Sequence, residues 1–470
     1  MPASPLPSPH GPMPRAALAV AAGLALSVGV AAAAGPPATA APSLQTRIDA
    51  APPGATVTVR GVEQGPVVIS KPLRLVGEPG AVIDGGGRGT VVRVTAPGVI
   101  LSRLSLRRSG TDLNEEDAGV ALHAPDALLE DLTLEEVLFG LNLKRADRAV
   151  IRRVTMRGYD LPPGRRGDAV RLWYSQRVVL SDVRIRRLRD VLIWFSRSSV
   201  LHALDVASSR YGVHLMYADD LRLLEGTFTD NAVGAYVMYS SGVRIEGNRF
   251  LRHRGSTGVG LAFKESDDVV ARGNLLAGNH VGLYLDGTPL REGGRSEISG
   301  NTIAGNETGI VLLSSASGNV IVGNRFDHNA RQVRLEGGAQ AVNLWARAGR
   351  GNYWSDHVAL DADGDGVADL PYRAQEWFER LEDRLPAAAL FWGSTAVAAV
   401  DFASRLLPLF PPHVLVEDPS PLMALPVVPE HRGEPASPPF AAASALLALG
   451  GGATLWRTGA PRRFRREKPR

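Results

Sequence analysis

His214 and Met216 stand two residues apart in the phrase GVHLMYA, and Met238 recurs 22 residues after Met216 in GAYVMYS. In an extended strand, residues i and i+2 share one face. Two thioethers and an imidazole make a soft donor set, suited to Cu(I) and poor for Ca2+ or Mg2+. The chain has six methionines, four of them beyond the first 40 residues, so two at one repeated position are a concentration. On spacing alone, methionines placed this way more often pack than ligate.

A harder site lies further on. Asp361, Asp363 and Asp365, followed by Gly366, spell D-x-D-x-D-G. Alternate carboxylates can converge on one Ca2+ while the glycine permits a sharp turn, with the Val367 carbonyl and Asp369 as further oxygen donors. Tyr372 occupies the place where a bidentate glutamate usually closes such a loop, so the expected role is structural. A third chemistry, acid–base cleavage of polyuronides, has candidate acids in Asp219-Asp220 and Asp267-Asp268. Adjacent residues in a strand point to opposite faces, and both pairs fall where turns are expected.

The elements that must position these residues are short strands. Trp173, Trp194, Met216 and Met238 recur at steps of 21, 22 and 22, each in a similar phrase. A period near 22 with one strand per repeat marks a solenoid, whose coils stack equivalent positions into columns about 4.8 Å apart. A second series of Gly-Asn pairs, at 247, 273, 300 and 323, marks repeated corners. There glycine takes positive φ, and asparagine bonds backbone groups and its own copies. The expectation is an all-β right-handed parallel β-helix of about ten to twelve coils, with a short helical C-terminal extension.

Alternation assigns the faces. Val170/Leu172/Tyr174, Val191/Ile193/Phe195, Val213/Leu215/Tyr217 and Ala235/Val237/Tyr239 form the expected interior. Arg171/Trp173, Leu192/Trp194, His214/Met216 and Tyr236/Met238 point outward, an apolar patch unlike a solvated face and therefore an interaction surface. The 29-residue step from Lys144 to Trp173 holds an inserted loop, GYDLPPGRRGD, that projects Arg165 and Arg166 beside the patch.

The rest of the chain bounds the setting. Residues 1–40 read as a signal peptide: Arg15, an apolar run, then Ala38-Thr39-Ala40. The chain has no cysteine, so it is expected to hold itself in an exported compartment without disulfides. The β-helix is assigned to 41–345, the acidic loop with two helices to 346–410, and a proline-rich linker to 411–439. Residues 440–470 are an apolar stretch and a basic tail, a candidate membrane anchor with its cluster on the cytoplasmic side. The tail has seven basic residues and one acidic against a whole-chain charge of +4. The high isoelectric point therefore belongs to the tail and argues against a nucleic-acid surface.

The phrases RRGDAVRLWYS, RDVLIWFS, SRYGVHLMYADD, NAVGAYVMYS, GRGNYWSDH with DADGDGVADLPY, and DFASRLLPLF with DPSPLM together resemble the NosD family, over roughly residues 44–423. The resemblance implies a periplasmic β-helical accessory protein that handles copper for maturation of nitrous-oxide reductase. Its implied partners are an ABC-transporter permease with its ATPase, a copper chaperone lipoprotein and the reductase itself. It also implies transient Cu(I) at His214, Met216 and Met238, while Trp173, Trp194, Tyr236, Arg165, Arg166 and Arg171 are expected to contact partners. No Gly-Lys-[Ser/Thr] phosphate loop is present, so ATP hydrolysis falls to another subunit and the chain is expected not to be an enzyme. A metal-free docking scaffold and a polyuronide lyase or epimerase are the alternatives. His123 is a further candidate ligand in the methionine column.

Overall fold

A computed structural model describes residues 42–337, 342–375 and 414–424, with a few positions between 394 and 399. The chain winds into a parallel β-solenoid. One sheet has twelve strands in chain order, among them Phe139–Lys144, Val170–Trp173, Asp190–Trp194, Tyr211–Met216, Val233–Met238 and Val259–Lys264. A second sheet of 21 strands closes the other sides, with two short strands per turn through most of its length and single long strands from Ile100–Arg107 to Val179–Arg186. The register is the one the repeat predicts: Trp173 pairs with Trp194, Trp194 with Met216, and Met216 with Met238. Each coil leaves its inward aliphatics bare until the next coil covers them, so burial accumulates only by stacking. Val170, Leu172, Val191, Ile193, Val213, Leu215, Ala235 and Val237 are all fully buried.

Both ends are covered. At the start, helix Leu44–Ala50 buries Leu44 and Ile48 against the first coils, and the Ser43 hydroxyl caps it by accepting from the Thr46 N–H at 3.2 Å. At the other end Phe326, Trp354 and Tyr372 stack at 4.2 and 4.1 Å. Strand Tyr372–Gln375 pairs antiparallel with Val414–Asp418, a segment that composition had placed in the linker.

Corner chemistry holds the coils in register. Gly247, Gly273, Gly300 and Gly323 have φ between 62 and 67°, as the Gly-Asn pairs predict. The following asparagines form a buried ladder in which Asn248, Asn274, Asn301, Asn324 and Asn352 each bond the next, ending on Asp418. Asp418 also accepts from Trp354 Nε1 at 3.0 Å. A second ladder runs Asn231, His253, Asn279, Asn306 and Asn329. It needs space, which glycines in the facing strands supply. A Cβ on Gly234 would come 2.7 Å from His253 Nε2, and one on Gly260 would come 2.9 Å from Asn279 Nδ2.

One facing expectation is corrected. Tyr174, Phe195, Tyr217 and Tyr239 do not end the interior set. Each has φ between 50 and 52°, so alternation stops there and the ring swings to the surface. Tyr174 is 47 % exposed and Tyr217 43 %. The rings stack into an external column with centroids 4.8, 5.1 and 5.2 Å apart.

The expected signal segment at 1–40, most of the two expected helices, and the expected linker and anchor beyond residue 424 lie outside the described residues. Among the described residues, no helix is long and apolar enough to cross a membrane.

Candidate metal centre and docking face

Stacking brings the soft donors together. Strands Tyr211–Met216 and Val233–Met238 run in register, setting His214 beside Tyr236 and Met216 beside Met238. His214 Nε2 lies 3.4 Å from Met238 Sδ, across the diagonal of that square. All three side chains are partly buried on the outward face. The His214 Nδ1 atom is buried without a partner. Burial pushes the His214 pKa below its ordinary value, so the ring is neutral near pH 7 with a lone pair to give.

Tyr211 and Tyr236 both pack near the imidazole, with their own ring centroids 6.2 Å apart. Tyr211 packs on the imidazole with ring centroids 4.7 Å apart, and the Arg210 guanidinium covers Tyr211 at 4.8 Å. Arg210 Nε in turn donates to the fully buried Asp190 at 3.1 Å, and Asp190 also accepts from the Tyr211 N–H. Sequence reasoning missed Tyr211 and Asp190. Their signal was present: Arg210-Tyr211 opens the strand that carries His214, and Asp190 opens the strand before it. Tyr236, in register beside His214, has its phenol pushed up to about 12 by burial.

An aromatic field continues the patch. Trp173 and Trp194 meet edge to face at 4.7 Å, and Trp194 stacks on Phe195 at 5.7 Å. The Trp194 indole N–H is buried without a partner. The external aromatic column at the strand ends completes one surface with Met216 and Met238. Beyond it the Lys264 ammonium pairs with Asp286 at 2.9 Å, so the soft region gives way to charge one coil after Met238.

The basic residues divide. Arg165 is exposed at the tip of the inserted loop, where Pro163–Arg165 makes a short 3-10 turn. Arg166 is turned inward, donating to the carbonyls of Leu161 and Ser208. Arg171 is tied to Glu116 and Asp168 and covers the Phe139 ring, with only 16 % of its side chain exposed. His123 sits in the methionine column but four coils from Met216, too far to share an ion with it.

The other candidate sites are also located. Carboxylate oxygens of Asp361, Asp363 and Asp365 lie within 4.8 Å of one another. Asp361 accepts from Gly364 and Gly366, Asp369 accepts from Ala362, and Val367 bridges to Leu422. The acid pairs of the carbohydrate alternative serve turns. Asp219 accepts from the Ser241 N–H and Arg197, and Asp267 from the N–H groups of Leu290 and Arg291.

Comparison with known proteins follows the same outline. The family model described as periplasmic copper-binding protein (NosD) matches residues 146–359, a span that includes His214, Met216 and Met238. A protein of Pseudomonas aeruginosa named probable ABC transporter binding protein NosD is 28 % identical over 375 residues, covering 77 % of this chain and 86 % of that one. A protein of the same name from Stutzerimonas stutzeri is 26 % identical over 382 residues, covering 78 % and 86 %. Among solved structures, the A-modules of two Azotobacter vinelandii mannuronan C-5 epimerases superpose. AlgE6 gives a TM-score of 0.54 at 16 % identity, over 65 % of this chain and 94 % of that one. AlgE4 gives 0.52 at 16 %, over 64 % and 94 %. At that identity the likeness is one of fold alone.

Proposed function

We propose, for this member of the NosD family, the role of a periplasmic copper-handling component of an ABC transporter that serves maturation of nitrous-oxide reductase. The chain holds Cu(I) as passing cargo between His214, Met216 and Met238. It docks partners on the aromatic face around them: the transporter permease, a copper chaperone lipoprotein and the reductase. It performs no turnover of its own, and the ATPase is a separate subunit. The observation that carries this reading is the contact of an imidazole nitrogen with a thioether sulfur at 3.4 Å, with a second thioether in register beside it. Soft sulfur and neutral imidazole match Cu(I), and side chains only partly buried leave the ion accessible for transfer. Ca2+ at Asp361, Asp363, Asp365, Asp369 and the Val367 carbonyl has a structural role at the C-terminal end, where Met423 N–H and Ala368 N–H already tie the loop to residues 421–423.

The external aromatic column favours a second reading, a scaffold that docks partners and carries no metal. One titration separates the two. Cu(I) is added anaerobically to the full mature chain against a competing chromophoric chelator, and to the Met216→Ala/Met238→Ala double variant. Copper handling predicts tight binding by the parent and affinity weakened by roughly a hundredfold in the variant, about 1.4 kcal/mol for each lost ligand. No competition by the parent leaves the scaffold. Tight binding unchanged in the variant removes copper from this column.

A further inference from the structure

The N-terminal end of the same sheet face carries a second cluster of polar side chains that copper handling leaves unused. Arg93, Ala121 and Asn142 lie side by side on three successive strands, and Lys144 follows two residues after Asn142. His123 comes directly after strand Ala118–Leu122, its N–H bonded to the Val94 carbonyl. Alternation therefore puts His123 on the face of Ala121 and next to Lys144. Further along that column stand Arg171, Leu192, His214 and Tyr236. Ala121 places only a methyl group between Arg93 and Asn142 in that column, as Ala262 does after Tyr236.

This part of the column is covered. Ala121 and Asn142 are each 2 % exposed. Glu116, on the loop ahead of the strand, accepts from Asn142 Nδ2 at 2.8 Å and from Lys144 Nζ at 2.5 Å, with Arg171 on its other oxygen. Its φ is +54°, a left-handed backbone that a non-glycine residue adopts only when its surroundings impose it.

Two polar atoms under this cover have no partner: Asn142 Oδ1 and His123 Nε2. Because Asn142 Nδ2 donates to Glu116, its Oδ1 is fixed as an acceptor facing a missing donor. Native proteins seldom leave such atoms unpaired. Burial, with Arg93 and Lys144 beside it, lowers the His123 pKa and keeps the ring neutral, despite the opposing pull of Glu116.

We propose that Arg93, His123, Asn142 and Lys144 form a binding site for a small oxyanion that carries its own proton, of which hydrogen phosphate is the simplest. Arg93, Lys144 and an imidazole N–H donate to the anionic oxygens, and the ligand's O–H donates to Asn142 Oδ1. That last bond is the selective one. Sulfate has the same shape and no proton at neutral pH, so it sets an oxygen against an oxygen.

The site is independent of copper and is tested without it. The full mature chain is titrated calorimetrically near neutral pH with inorganic phosphate and, separately, with sulfate. His123→Ala and Asn142→Leu are measured alongside, with thermal melting as the check on folding. Phosphate should bind the parent roughly tenfold more tightly than sulfate, the cost of one unmade hydrogen bond facing a buried acceptor. His123→Ala should weaken phosphate binding by a similar factor, and Asn142→Leu should erase the preference over sulfate. No binding of phosphate up to about 10 mM, far weaker than a built site would give, overturns the proposal. So does sulfate binding equal to phosphate, or phosphate affinity unchanged in His123→Ala. If Asn142→Leu does not fold, the ratio of the two anions in the parent decides alone.

Discussion

At the scale of single residues, the candidate copper ligands compete with protons only weakly. Burial holds the His214 imidazole below its ordinary pKa of 6.5. A thioether takes up no proton in the accessible range, so only the imidazole can titrate against the metal. Cu(I) affinity should therefore stay flat as the pH falls from about 7.5 to about 6.5, and decline only below. A competition titration repeated across that range checks this. A decline already beginning above 7 would mean an exposed histidine is the ligand instead. The exposed corner aromatics make a second residue-level case. Tyr217 sits at φ 52°, a conformation that costs a bulky side chain about 1–3 kcal/mol. Gly287 takes φ 55° where the same corner recurs after strand Val281–Asp286, so the fold accepts glycine there. Tyr217→Gly should thus leave the melting temperature within a few degrees, because relieved strain offsets lost stacking. Binding of a docking partner in a pull-down or by surface plasmon resonance should weaken. A large loss of stability with partner binding intact would make the column a packing device.

At the scale of the repeated element, the ladders decide how the coils respond to acid. His253 replaces asparagine in the second ladder. It is fully buried, its Nδ1 is 3.2 Å from the Asn231 N–H, and burial drops its pKa to about 4. The folded state thus refuses a proton that the unfolded chain takes up near 6.5. Stability from this position is complete above about 6.5 and falls as the pH drops from there toward about 4, by roughly 3 kcal/mol in all. His253→Asn restores the ladder's usual residue, which does not titrate. Urea unfolding of parent and variant at several pH values should show the parent's stability falling in that window and the variant's curve flatter by most of that amount. Equal slopes would mean the ring is accommodated when charged.

At the scale of the whole molecule, the candidate donors meet because coils 22 residues apart become neighbours, and that much was legible in the sequence. The period, the Gly-Asn corners and the alternation of Val213/Leu215 against His214/Met216 gave the solenoid, the register and the outward position of the donors. Corner geometry was less legible. Tyr174, Phe195, Tyr217 and Tyr239 read as core because strand alternation carries no mark of where it stops, and only the left-handed backbone turns them out. Arg171 read as a surface contact, yet its guanidinium is held by Glu116 from a loop 55 residues earlier, a pairing set by stacking rather than by local sequence. The closing pair Tyr372–Gln375 and Val414–Asp418 was hidden for a similar reason, since its partners are far apart in the chain. The central claim is that one Cu(I) is shared between two adjacent coils, and X-ray absorption at the copper edge of the Cu(I)-loaded full mature chain tests it most directly. The predicted spectrum has two sulfur neighbours and one imidazole nitrogen, reduced to one sulfur in Met238→Ala. A shell of nitrogen and oxygen alone, or a sulfur count unchanged by Met238→Ala, would contradict it.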